Sequence, residues 1–127
     1  QLIAMASSDV IFLGHLSKKD LDPLMAHCRA FILPSVLEGM SNSILSAMAA
    51  GKSVLAADVP ANSDLLNYKD ALFTADNCNE LHDKLAILST DNEFCATLGE
   101  KLKDRAKTEY SWATTSEKFY QLSKSFD

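Results

Sequence analysis

Glu38, followed by Gly39 and then by Ser41, Asn42 and Ser43, is the acid of this 127-residue chain best placed to do chemistry. Ahead of it, a short apolar run from Phe31 reads as a buried strand, stopped by Pro34-Ser35. Behind it, an apolar helix closes at Gly51. A strand, an acidic turn and a polar helix start, in that order, present unpaired N–H groups and the positive end of a helix dipole at the carboxyl edge of a sheet. That is a place to hold a phosphate. A carboxylate aimed at the phosphate would repel it, so Glu38 suits neutral hydroxyls, as on a sugar. An anion and a polyhydroxyl on one ligand imply a nucleotide sugar.

The elements that must position these residues follow from periodicity. Asp9–Leu13, rich in Val, Ile and Phe and ending at Gly14, predicts a strand and turn. Ser17, with Asp20 three residues on, predicts the cap of a helix from about Lys18 to Arg29, its apolar positions Leu21, Leu24, Met25 and Cys28. Ala30–Leu33 is the next strand. Ser41 or Asn42 caps a helix to Ala50, with Asn42 favoured, and Gly51 ends it at C′. Ser53–Ala57 predicts a strand, Ala61–Leu66 a short helix and Ala71–Thr74 a short strand. The remainder reads as helical, with stripes Leu81/Leu85/Leu88, Phe94/Leu98/Leu102 and Trp112/Phe119/Leu122/Phe126. Four alternations of strand and helix require a parallel sheet covered on both faces, with ligands outside the carboxyl ends of its strands.

Pro34-Ser35-Val36-Leu37-Glu38-Gly39, then Ser46-Ala47-Met48-Ala49-Ala50-Gly51-Lys52-Ser53-Val54, resembles the donor-binding, C-terminal domain of retaining GT-B glycosyltransferases of group 1, family four. Val10–Gly14 is similar to that family's upstream strand and glycine turn, and Glu109-Tyr110-Ser111-Trp112 to the aromatic start of its last helix. The resemblance covers nearly all of residues 1–127. It implies an α/β, Rossmann-like parallel sheet with helices on both faces, a single partial domain forming the C-terminal half of a GT-B fold. It further implies a hexosyltransferase binding an NDP-sugar donor with His15, Leu16, Glu38, Gly39, Met40, Ser41, Asn42, Ser43 and Ser46. Glu38 is the catalytic candidate on this resemblance. The sugar would pass to an acceptor glycan or lipid-linked sugar held by an N-terminal domain outside this chain, so the chain alone is expected to be inactive. No cofactor and no metal are expected, because amides and basic groups neutralise the diphosphate.

Two departures stand out. The family's second glutamate, eight positions after the first, falls on Ser46, and the proline of its Gly-x-Pro-Val falls on Ser53. Losing a carboxylate on the ribose hydroxyls removes roughly 1.5–3 kcal/mol, about 10- to 100-fold in affinity. A serine hydroxyl with bridging water could recover part of it. Two alternatives stay open: a non-catalytic paralogue, supported by Ser46, and a nucleotide-sugar epimerase of the same architecture, which the terminal Ser-Trp helix fits less well.

Plainer readings exist for single residues. Glu38 also fits a solvated turn, Gly39 a turn glycine and His15 a surface histidine. Ser and Asn are ordinary at helix starts. Lys18-Lys19 is a solvated pair, and Met48 and the aromatics sit at core spacing. Ser35 lacks a Gly-x-Ser-x-Gly elbow and an identifiable base, which excludes a hydrolase.

Composition sets the outer bounds. With 47% hydrophobic and 23% charged residues the chain is one ordinary globular domain, and its net charge of −5 argues against nucleic acid. Cys28, Cys78 and Cys95 show no paired spacing, and His15, His27 and His82 none suited to zinc. No apolar run approaches the roughly 20 residues of a membrane span. The expected location is cytoplasmic, with peripheral attachment to the inner membrane face through the missing domain left open.

Overall fold

The computed structural model describes the backbone of residues 2–124, and their side chains apart from those of residues 2, 118, 119, 122 and 123. Strands β1 (Ala30–Leu33), β2 (Ser53–Ala57) and β3 (Leu72–Phe73) form one parallel sheet in the order β1-β2-β3. Ala30 pairs with Ser53 and Leu33 with Ala56, while Ala57 pairs with Phe73. Every residue of β2 is buried. Successive strand side chains point to opposite faces, so helices cover both faces of this central strand. The expected α/β, Rossmann-like architecture is what the chain adopts.

Residues 10–13 are a correction. They join no ladder among the described residues, and Val10, Ile11, Phe12 and Leu13 are 52%, 77%, 49% and 54% exposed. Apolar, β-branched composition suits a strand, but a strand exists only through a hydrogen-bonding neighbour, and here none flanks it. The sheet therefore has three strands rather than four.

After α1 (Leu2–Met5), α2 (Lys18–His27) starts as expected but ends two residues early. The Ser17 hydroxyl donates to the Asp20 carboxylate at 2.6 Å instead of capping a backbone N–H. Of its apolar positions only Met25 is buried, with Leu21 and Leu24 44% and 47% exposed, so the predicted stripe covers less core than its spacing suggested.

Helix α3 (Asn42–Ala49) ends where the sequence places its glycine. Gly51 has φ +70°, its N–H bonds to the Met48 carbonyl, and the Lys52 N–H reaches back to Ala47. This pair of bonds is a Schellman closure, which needs a left-handed residue at C′. The corner is locked from outside by Gly99: a Cβ there would lie 2.4 Å from the Gly51 carbonyl oxygen. Gly99 sits in α6 (Asn92–Glu109), which packs across both α3 and β2. Close approach of backbone to backbone explains a glycine that helix propensity alone disfavours.

Short helix α4 (Pro60–Leu66) begins one residue before the predicted bound, with its proline in the first turn, where a missing N–H costs nothing. A 3-10 turn takes Lys69–Ala71, which shortens the predicted strand at Ala71–Thr74 to Leu72–Phe73. Helices α5 (Cys78–Thr90) and α6 are each capped, Asn77 accepting from the Glu80 N–H and Asp91 from the Phe94 N–H. Leu88, Leu98 and Leu102 are buried as their spacing predicts, but Leu85 is 37% exposed. Trp112, which opens α7 (Trp112–Lys124), is 87% exposed and packs no core. Phe119, Leu122 and Phe126, its expected partners, lie outside the described side chains.

Candidate functional site

The site grows from the carboxyl end of β1. Leu33 closes the strand, Pro34 stops it, and the Ser35 hydroxyl donates to the Leu37 carbonyl at 3.4 Å. The segment then runs along the surface: Val36, Leu37 and Met40 are 55%, 91% and 66% exposed. Glu38 is partly buried. Gly39 does not adopt a left-handed φ, and a Cβ built on it would meet nothing within 4 Å. Neither turn geometry nor packing demands a glycine there.

Ser41, not Asn42, caps α3. Its buried hydroxyl accepts from the Ile44 N–H at 3.4 Å and sits 2.9 Å from the Ser43 hydroxyl. The Leu45 N–H bonds to the Ser41 carbonyl. The N–H groups of Asn42 and Ser43, at the first two helical positions, are those with no earlier turn to bond. Asn42 and Ser43 are exposed, so these amides stand at the helix start beside the Glu38 turn. Ser41 thus does the capping that the sequence favoured for Asn42.

Ser46 lies one turn further along, and its hydroxyl donates to the Asn42 carbonyl at 2.9 Å. Where a glutamate would reach outward, this side chain is folded back on its own helix. Asn42, Ser43 and Ser46 share a cavity of about 340 Å³ between α2 and α3, with Leu21, Met25 and Phe31 opposite. Lys18 at its rim is tied to Asp22 at 2.7 Å.

Asn42 and Ser46 also open onto a larger cavity of about 610 Å³ on the other side of α3. Its far wall is α6, with Lys103, Ala106 and Lys107, and the Tyr110-Ser111 corner. Lys103, Ala106 and Lys107 carry no motif in the sequence; the signal was the four-residue spacing of Lys103 and Lys107, which puts both on one helix face. Met40 lines a separate pocket of about 190 Å³ with Asp64, Leu65 and Tyr110. Glu38, Gly39, Ser41, His15 and Leu16 line none of these three cavities. Gly14 turns with φ +65°, leaving His15 exposed and Leu16 partly buried beyond it.

Among the described residues no three His, Cys, Asp or Glu side chains are grouped to hold a metal ion, and no helix is long and apolar enough to cross a membrane. Cys28, Cys78 and Cys95 are all free thiols, partly buried, exposed and buried in turn.

Open α/β sheets bind ligands outside the carboxyl ends of their strands, and there this α/β domain carries an acidic turn and an open helix start. Residues 1–91 match the family described as glycosyl transferases group 1, and the chain belongs to that family. It is 29% identical over 113 residues to the serotype-specific mannosyltransferase WbdA of Escherichia coli, covering 88% of this chain and 14% of WbdA. It is 30% identical over 107 residues to an uncharacterized glycosyltransferase of Methanocaldococcus jannaschii, covering 83% of this chain and 30% of that protein. It is also 30% identical over 96 residues to the N,N'-diacetylbacillosaminyl-diphospho-undecaprenol alpha-1,3-N-acetylgalactosaminyltransferase of Campylobacter jejuni, covering 74% of this chain and 25% of that enzyme. The chain thus spans a third or less of the length of these relatives.

Proposed function

We propose that this chain is the donor-binding domain of a retaining glycosyltransferase that takes a hexose from a nucleoside diphosphate sugar. The Asn42 and Ser43 amides hold the diphosphate, and Glu38 accepts hydrogen bonds from hydroxyls of the sugar. As the glycosidic bond to the diphosphate breaks, negative charge builds on the leaving phosphate. Fixed amides at a helix start stabilise that charge without reorganising, a contribution largest in the transition state. His15 and Leu16, just past the Gly14 turn, meet the nucleotide base. No metal or other cofactor is needed in this scheme. The acceptor, a glycan or lipid-linked sugar, is held by a domain beyond this chain, and the isolated domain does not turn over. The names of two relatives, a mannosyltransferase and an N-acetylgalactosaminyltransferase of a diphospho-undecaprenol-linked sugar, support sugar transfer to a glycan or lipid-linked acceptor.

The observation that carries this reading is Gly39. It stands between the acid and the helix start with no left-handed φ and no neighbour within 4 Å, so neither φ nor packing calls for a glycine there. Close approach of a ligand to the backbone would call for one. Titration calorimetry of the complete protein with a panel of nucleotide sugars tests it: one of them should bind, and silence from all of them at millimolar concentration would refute it.

A second reading, a binding subunit without turnover, draws on Ser46. Its hydroxyl is spent on the Asn42 carbonyl, and no carboxylate replaces it. Product analysis separates the two: a glycosylated acceptor supports the transferase, nucleotide binding without product the alternative.

A further inference from the structure

The cavity between α3 and α6 has a composition unlike the rest of this surface. Acidic residues outnumber basic ones, 17 to 12, in the chain, yet no carboxylate lines this cavity and two lysines do. Several of the other lysines are already engaged. Lys18 is paired with Asp22 at 2.7 Å, and Lys84 donates to the Lys69 and Leu72 carbonyls. Lys103 lies 3.8 Å from Glu100 and runs its stem over Gly51. The Lys107 ammonium has no hydrogen-bond or ion-pair partner among the described residues. Leu45, Ala49 and Ala106 supply apolar lining to the same cavity. A volume of about 610 Å³ falls in the range of ordinary small-molecule sites. An unpaired cation, apolar side chains and the hydroxyl and amide groups of Ser46 and Asn42 in one lining together suit a phosphorylated ligand with a flat or apolar body.

We propose that this cavity extends the donor site along the outer face of α3, and that Lys107, with Lys103 behind it, neutralises a phosphate of the bound nucleoside diphosphate. The inference rests on the donor-binding reading above, because Asn42 and Ser46 join the two spaces. It assigns a binding role to a helix that carries none of the acidic-turn motif.

The test is calorimetric titration of the complete protein with UDP and with GDP, and NMR titration with uridine and guanosine, on the wild type and on Lys107→Gln, Lys107→Glu and Lys107→Arg. Because Lys107 is exposed, the variants should fold, which thermal melting checks. The diphosphate that binds should weaken about 5- to 10-fold in Lys107→Gln and further in Lys107→Glu, while Lys107→Arg stays near wild type and nucleoside binding does not move. Unchanged diphosphate affinity in the Gln and Glu variants, with clear wild-type binding, overturns this inference and leaves the donor reading standing. An equal loss for uridine or guanosine overturns it as well, since the loss would not be tied to phosphate. A wild type that binds neither diphosphate overturns both readings.

Discussion

At the residue scale, the proposed site turns on three small features: an acid, a glycine that neither a left-handed φ nor packing calls for, and a serine in place of a second acid. Ser46→Glu should tighten nucleotide binding by about 10-fold, if the new carboxylate reaches ribose hydroxyls. Calorimetry against the wild type checks it, and weaker binding would place position 46 away from the ribose. Gly39→Val should leave the melting temperature within about 1–2 °C of wild type, because its side chain would point into open space. The same change should weaken donor binding at least about 10-fold by keeping ligand and backbone apart. Much of this was legible from the order Glu38-Gly39-x-Ser41-Asn42-Ser43. Which residue caps the helix was not, since Ser and Asn cap equally well and only the chain's path decides whose oxygen faces the Ile44 N–H.

At the element scale, two contacts fix α3 in place. One is its Schellman end at Gly51, and the other the passage of α6 at Gly99. Gly99→Ala should destabilise by about 2 kcal/mol or more in urea unfolding, because its Cβ would meet a backbone oxygen that cannot yield by rotation. A cost below about 0.5 kcal/mol would mean the corner is looser than described. The Gly51 signal was readable, standing just past an apolar helix. Gly99 was not, because its reason lies 48 positions away in sequence. A second tie joins the end of β3 to α5: Glu80 accepts from the Thr74 N–H at 2.9 Å and faces Lys84 at 3.5 Å. The Thr74 bond, with Lys84 adding to it, holds its carboxyl below the usual 4.5. A lowered folded-state value contributes stability above the unfolded value and loses it as pH falls through the folded one. Wild type should therefore lose stability below about pH 4.5 more steeply than Glu80→Gln, in urea midpoints measured from pH 7 to pH 3.

At the scale of the whole molecule, binding and stability are carried by different parts. Leu102 is fully buried on α6, away from any cavity described here, so Leu102→Ala should cost about 2–5 kcal/mol in unfolding free energy. Donor affinity of the fraction that stays folded should hold within about twofold, read by calorimetry in stabilising buffer. The sequence alone determined the α/β class, three of its four expected strands and the placing of a capped, polar helix start after β1. Each rests on local order: which residues alternate, which break a run, and which can cap. Tertiary structure alone decided that Val10–Leu13 lies exposed without a strand partner, and that Trp112 faces solvent. It also decided that lysines of α6 border the same helix face as Asn42 and Ser46. The physical reason is common to all of these. Strand pairing, burial and cavity walls are made between segments far apart in the chain, and no local pattern of residue types encodes which distant neighbour will arrive.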